Sequence, residues 1–276
     1  MTVLCRVAGQ WQDYLPATDR GLQYGDGLFE TMRLSGGRVP LWSLHQARLQ
    51  SGISALCFPP TTMADVLLAL DDVPLSASLD QYSAAKLLVT RGAGPRGYQS
   101  PDPVQISIQL HLFDAPRWRW SALPMGCSGL TVGVNEVRLG RQPRLAGLKH
   151  LNRLEQVLAR AGFQPGWDES LMLDEQGDVI EGCYSNLLVC KAGQWLTPML
   201  DAAGVNGVIR QWLRQQLVVT EARLSLDDIK QADALVLSNS LMGIVPIVRL
   251  DNVEYSPNHE TLDAMKALQS RLESLF

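Results

Sequence analysis

An α+β fold is what this chain of 276 residues predicts. Three observations carry that expectation. Apolar, β-branched runs of strand length are bounded by Gly-, Pro- and Asp-rich turns. Helical patterns are interspersed among them without a regular βαβα beat, which argues against a doubly wound sheet. No GxGxxG follows a strand and no Walker A sequence is present, so dinucleotide and P-loop nucleotide binding are not supported. The length suits one large domain or two modest ones, each with its own core.

In order, Val3 to Trp11 and Leu28 to Leu34 read as strands, separated by the turn-rich TDRGLQYGDG. Gly36-Gly37 is a hairpin signal leading into Arg38–Leu41. A helix follows from Ser43, where Ser43 and Gln46 make a capping-box pattern, and a second covers Thr62–Leu70. Ala84–Thr90 and Val104–Leu112 are strand candidates around the glycine-rich loop Arg91–Tyr98. Asp114-Ala115-Pro116, with the Arg/Trp stretch after it, is the best candidate linker and places a boundary between 1–115 and 116–276. Beyond it come a strand over Leu130–Val134 and a helix capped by Asn152 with Glu155 as its box partner. In that helix Leu151, Leu154, Leu158 and Ala161 fall at helical spacing. A hairpin follows, Ser170–Leu173 and Val179–Ile180 about the turn Asp174–Asp178. Asn186–Lys191 is a strand. A helix starts near Asn206 with Val208, Ile209, Trp212, Leu213 and Leu217 on one face. Strands over Ala234–Ser238 and Val245–Leu250 and a helix over Glu260–Leu275 close the chain.

Composition removes several classes of function. Hydrophobic residues make up 46% and charged residues 19%, the balance of an ordinary globular protein. A net charge of −4 with no run of like charges leaves no electrostatic footprint for nucleic acid or a membrane surface. The first residues lack a signal pattern, and no apolar run has membrane-spanning length. Cys5, Cys57, Cys127, Cys183 and Cys190 are odd in number and scattered, with no CxxC pair; neither a disulfide framework nor a metal site is indicated. These features describe a cytoplasmic chain with reduced thiols, Cys183 among them as a buried, inert one.

Four segments fit one chemistry. Lys149 lies in a largely uncharged segment, AGLKHLN, just before a helix; an amine desolvated there is freed for Schiff-base formation. The turn GVNGVIR, Gly204 to Arg210, leads into a helix whose first N–H groups form an anion site. Glu181 in IEGCYSN stands at a strand end, where a carboxylate can pair with a protonated heterocycle nitrogen. His45 and Arg48 are three apart on one helix face, and Arg48 can fork a phosphate. Taken singly, each has an ordinary alternative: a solvated lysine, a plain loop-to-helix turn, a turn glutamate, a surface arginine.

Together, DRGLQYGDGLFETMR, HQARL, Lys149 before HLNRLEQ, EGCYSN and GVNGVIR resemble the fold-type IV pyridoxal-phosphate enzymes, in order and over most of the chain. That family includes branched-chain and D-amino-acid aminotransferases and aminodeoxychorismate lyases. RLAGLKHLNRLEQVLAR, RGAGPRGYQS and DAAGVNGVIRQW are most similar to the lyase branch. The resemblance implies two domains, 1–115 and a barrel-like 116–276, with a pyridoxal 5'-phosphate cleft between them, and a homodimer. It implies that Lys149 carries the cofactor and acts as base, and that Glu181 keeps the pyridine nitrogen protonated. Arg48, the N–H groups of Val208 and Ile209, and Asn239 or Ser240 of LSNSLM would bind the phosphate. The family's aminotransferases usually have threonine where this chain has Ile209 and Ser240, so the backbone contacts carry over more directly than the side-chain ones. Thr31 falls where branched-chain aminotransferases have glycine; in the lyase branch a threonine there lies beside the cofactor. Arg96 is similar to a substrate-carboxylate arginine. The implied reaction converts 4-amino-4-deoxychorismate to 4-aminobenzoate and pyruvate. The same scaffold would also serve an aminotransferase of D- or branched-chain amino acids, or a non-catalytic binding protein; the retained Lys149, Glu181 and Arg48 argue against the last.

Overall fold

The computed structural model describes residues 1–73, 79–118 and 129–276. They form two compact units. The first holds Met1–Ala115 together with Leu148–Asn152; the second holds Pro116–Gly147 and Arg153–Phe276. Lys149 therefore packs with the first unit and not, as a single division of the sequence placed it, with the second. Cys127 and the far end of the Arg/Trp stretch lie outside the described residues.

The first unit is a five-stranded antiparallel sheet with helices on one face. In chain order its elements are β1 (Thr2–Val7), β2 (Gln10–Gln12), α1 (Arg20–Tyr24), β3 (Gly27–Arg33), α2 (Trp42–Ala55), α3 (Thr62–Asp71), β4 (Ala84–Thr90) and β5 (Ser107–Phe113). The spatial order is β2-β1-β5-β4-β3. The period of two does the sorting. Leu28 and Met32 of β3, Leu87 and Val89 of β4 and Ile108, Leu110 and Leu112 of β5 bury one face against Leu49 and Ile53 of α2 and Met63 and Val66 of α3. Each such side chain contributes about 1.5–3 kcal/mol when fully buried. Phe29 pairs with Leu88 and Thr31 with Lys86, so these four share the opposite face.

Several local expectations change. The stretch from Val3 to Trp11 is not one strand but a hairpin, turned at Ala8 and Gly9, both at positive φ. Ser35 and Arg38 bond reciprocally around Gly36-Gly37, but Arg38–Leu41 does not continue as a strand. The Ser43/Gln46 capping box is not formed, because α2 already starts at Trp42 and has no side-chain cap. Helix α1 was not legible; Asp19 caps it by accepting from the Gly21 N–H at 2.8 Å, and Gly25 ends it at φ +64°.

The second unit carries β6 (Leu130–Leu139), α4 (Leu154–Ala161), β7 (Glu169–Asp174), β8 (Val179–Gly182), β9 (Asn186–Lys191), β10 (Gln194–Pro198), α5 (Val208–Gln216), β11 (Val219–Ala222), α6 (Leu226–Lys230), β12 (Ala234–Asn239), β13 (Gly243–Leu250), β14 (Val253–Glu254) and α7 (His259–Glu273). Its nine-stranded mixed sheet runs β11-β10-β9-β12-β13-β6-β7-β8, with β14 on β13. Strands β7, β8 and most of β9, β12 and β13 are buried along their length. That is the signature of a sheet covered on both faces. Helix α4 begins after Arg153 with no side-chain cap. Asn152 is not its cap: its amide donates to the Gly25 carbonyl at 3.1 Å, while Glu155 accepts from the Gly140 N–H. Its apolar stripe also faces out, with Leu154 76% and Leu158 61% exposed, and Ala159 is the residue it buries. Among the described residues no helix is long and apolar enough to cross a membrane.

Candidate active site

In the first unit, the segment from Lys149 to Leu151 lies along the open edge of β3. The Phe29 N–H donates to the Lys149 carbonyl at 2.9 Å and the Leu151 N–H to the Gly27 carbonyl at 3.0 Å, about an antiparallel bridge between Leu28 and His150. This pairing, rather than a helix cap, fixes Lys149. Its half-buried ammonium sits 4.3 Å from the centroid of the Phe29 ring, with Lys86 at 5.0 Å from the same ring. Aromatic faces attract cations at such distances. Thr31 is two residues from Phe29 on the strand and therefore projects from the face that carries Lys149.

Behind that face, Glu30 is buried between Leu28 and Met32. It accepts from His45 Nδ1 at 2.6 Å and from Arg48 Nε at 2.8 Å, and pairs a second time with Arg48 Nη2. Burial opposes the Glu30 charge, but Arg48 and the two hydrogen-bonding side chains outweigh it and hold the carboxyl at about 2. Burial lowers His45, Glu30 opposes that, and the charges of Arg48 and Lys149 add to it, so the imidazole is neutral and its Nδ1–H donates. Arg48 is thus the counter-charge of Glu30, a role its helix position did not reveal. Read with the strand period, Glu30 is a polar residue at a core position, and that signal could have found it.

In the second unit, β8 presents Glu181, 4% exposed. Its Oε2 accepts from the Val205 N–H at 2.9 Å and from Asn186 Nδ2 at 3.4 Å; Asn186 also donates to the Val205 carbonyl at 2.8 Å. Gly204 turns at φ +84°, where a β-carbon would strike Ile180 and Leu200. At Gly207 a β-carbon would lie 1.9 Å from Asn186 Oδ1. Gly207 opens α5 without a side-chain cap. The first N–H groups of an α-helix have no partner within it, so the start of α5, with Val208 and Ile209, offers donors that an anion could use. Arg210, 1% exposed, locks the turn from below through Asn206 Oδ1 (2.9 Å), Thr197 Oγ1 (3.2 Å), the Pro198 carbonyl (3.1 Å) and Glu221 (2.5 Å). Asn239 donates to the Tyr184 carbonyl at 3.0 Å and accepts from the N–H groups of Leu241 and Met242, so its side chain shapes the loop that carries Ser240.

The predicted residues thus fall into two groups. Lys149, Thr31 and Arg48 gather around β3, and Glu181, Val208, Ile209, Asn239 and Ser240 around the 181–186 and 204–207 turns and the end of β12. Arg96 is exposed on the loop after β4 and makes no hydrogen bond or ion pair among the described residues. Arg20 anchors that loop by donating to the carbonyls of Gly97, Tyr98 and Gln99. Cys183 is buried; burial and the charges of Glu169 and Glu181 push its thiol up to about 12, so it is inert. Asn186 and Arg210 stand in the EGCYSN and GVNGVIR motifs, but their roles are not legible there because most of their partners come from other segments.

Comparison with known proteins adds three findings. The family described as amino-transferase class IV matches residues 27–250. An aminodeoxychorismate lyase of Vibrio harveyi is 36% identical over 251 residues, covering 87% of this chain and 89% of that one; a D-alanine aminotransferase of Listeria innocua is 28% identical over 246 residues, covering 86% and 82%. The crystal structure of 4-amino-4-deoxychorismate lyase from Pseudomonas aeruginosa superposes with a TM-score of 0.87 at 36% identity, over 98% of each chain.

Proposed function

The chain belongs to the amino-transferase class IV family, and from that premise we propose that it is a pyridoxal 5'-phosphate-dependent lyase converting 4-amino-4-deoxychorismate to 4-aminobenzoate and pyruvate. The observation that carries the reading is the 36% identity to a lyase over 98% of the chain, joined to Lys149 and Thr31 on one face of β3. The residues of each unit, taken by itself, suit the cofactor's donor requirements. The first offers a half-buried lysine and a buried arginine, and the second a buried carboxylate and an uncapped helix start beside a glycine that leaves no room for a β-carbon.

Lys149 acts as anchor and as base, taking the proton from the ring carbon that bears the substrate amine. When bound, the cofactor supplies a protonated pyridine ring that takes up the electron pair released there. Glu181 holds the proton on that ring nitrogen, its own carboxylate oriented by Val205 and Asn186. Arg48, oriented by Glu30, is assigned to the cofactor phosphate, as are the N–H groups of Val208 and Ile209 and the side chains of Asn239 and Ser240. The bond from the adjacent ring carbon to the enolpyruvyl oxygen then breaks, the new ring double bond makes the product aromatic, and the departing enolpyruvate takes up a proton at its methylene carbon to become pyruvate. Thr31 places a hydroxyl where it steers the departing group, and Arg96 receives a substrate carboxylate. The reading extends to a cytoplasmic homodimer. The four free cysteines among the described residues accord with a reducing compartment, and the exposed Leu154, Val157 and Leu158 offer an apolar face for a second copy.

Borohydride reduction of the yellow protein followed by peptide mapping tests the anchor. The label is expected on Lys149; a label on another lysine, or none, ends the assignment.

A further inference from the structure

Glu169 has no part in the chemistry above, yet it holds the turn that joins Glu181 to Asn186. It opens β7 and is fully buried. Its Oε1 accepts from the N–H groups of Ser170 (2.9 Å) and Cys183 (3.1 Å), and its Oε2 from the Tyr184 N–H (3.3 Å) and the Ser185 hydroxyl (2.9 Å). Three of these donors belong to one turn, closed by the Gly182 N–H on the Ser185 carbonyl at 2.7 Å. A carboxylate only accepts, so four donors suit its ionised form.

That turn has three connections to the site. Glu181 precedes it. Asn186 follows it and donates to Glu181 and to the Val205 carbonyl, and its Oδ1 occupies the space that a β-carbon would take at Gly207, the residue that opens α5. The Tyr184 carbonyl accepts from Asn239, which shapes the loop after β12. We infer that Glu169 is the positioning residue for the second unit's candidate site residues: its carboxylate holds the 182–185 turn and, through it, sets Glu181, Asn186 and Asn239 relative to one another. The inference rests on the reading of Glu181 as the partner of the cofactor ring.

Burial pushes the Glu169 carboxyl up to about 7, against the pull of its donors. Cys183 faces it from the turn and Glu181 from β8, with Arg160 of α4 acting on the same thiol. Asp168 is its neighbour in sequence, and the Tyr184 hydroxyl donates to the Asp168 carbonyl. Glu169 is the member of this set that burial brings to about 7. Its folded pKa lies above the ordinary value, so the stability of its neutral form is present in acid and lost as pH rises through about 7. The hold on the turn runs the other way and strengthens over the same interval.

The test uses the cofactor-loaded protein, native and Glu169→Gln, from about pH 5.5 to about pH 8.5. The visible circular dichroism of the bound cofactor, kcat, KM and the thermal midpoint are followed together. In the native protein the dichroism and kcat rise through about pH 7 while the midpoint falls. In Glu169→Gln, kcat at the alkaline end is expected to be about tenfold to a hundredfold lower, with KM changed far less, as for groups displaced from working geometry. The rise in dichroism is lost with it. Ser185→Ala, which keeps the carboxylate and removes one donor, shifts the native rise to higher pH. A Glu169→Gln protein with native dichroism and kcat at every pH overturns the inference, whatever its thermal midpoint, as does a Ser185→Ala profile unchanged from native. The dichroism needs no substrate, so it decides this point even where lyase turnover fails and the functional reading falls.

Discussion

Replacing one oxygen of Glu181 by an amide changes charge while keeping shape. Glu181→Gln can still accept from Val205 and Asn186 through its remaining oxygen. It is therefore expected to bind the cofactor nearly as tightly as the native protein but to turn over far more slowly, since an amide does not stabilise a protonated pyridine as a carboxylate does. Native turnover in this variant would remove Glu181 from its role. Arg48→Ala tests two things at once. Loss of a charge-assisted phosphate contact is worth on the order of 2 kcal/mol, roughly thirtyfold in cofactor affinity. It also strands Glu30 in the core, and removing one partner of a buried pair costs about 3–5 kcal/mol in unfolding free energy. Urea unfolding and cofactor titration separate the two; unchanged values in both would contradict the assignment. The Glu30 carboxyl is held at about 2, below its ordinary 4.5. The stability it contributes is present above pH 4.5 and is lost as pH falls toward about 2. Glu30→Gln should flatten that acid decline. Thr31→Gly should keep the yellow colour and lower 4-aminobenzoate formation about a hundredfold; full activity would take Thr31 out of the mechanism.

At the scale of elements, what was legible was what local pattern decides. Ala84–Thr90 and Asn186–Lys191 are strands with the bounds their residue pattern predicts, because apolar runs there end at strong turn signals. The start of α5 followed from Gly204, Asn206 and Gly207. What failed was decided by distant partners. Asn152 looked like a cap, but Gly25, far back in the chain, takes its amide. Leu154 and Leu158 looked like a buried stripe because periodicity reports a face, not what covers it. Glu169 gave no local signal, since its donors are assembled by the pairing of β7 with β8. The start of α5 yields its own prediction. Gly207→Ala would drive a methyl into Asn186 Oδ1, so the helix start must shift. Inorganic phosphate and cofactor should both bind more weakly, while secondary structure by far-ultraviolet dichroism stays native. Unchanged affinity for both would show that the head of α5 does not hold the phosphate.

For the whole molecule, the fold alone does not choose between lyase and aminotransferase, because the class IV family holds both. On the proposed assignment both reactions would use Lys149 as anchor and Glu181 as the ring's partner, so neither residue discriminates. The choice rests on the likeness to lyases across the whole chain and on Thr31. The most direct measurement gives the purified, cofactor-loaded protein 4-amino-4-deoxychorismate in one reaction, and a D-amino or branched-chain amino acid with a keto acid in another. Equal amounts of pyruvate and 4-aminobenzoate are expected in the first and far slower amino transfer in the second. Efficient amino transfer with no pyruvate released from 4-amino-4-deoxychorismate would contradict the lyase assignment.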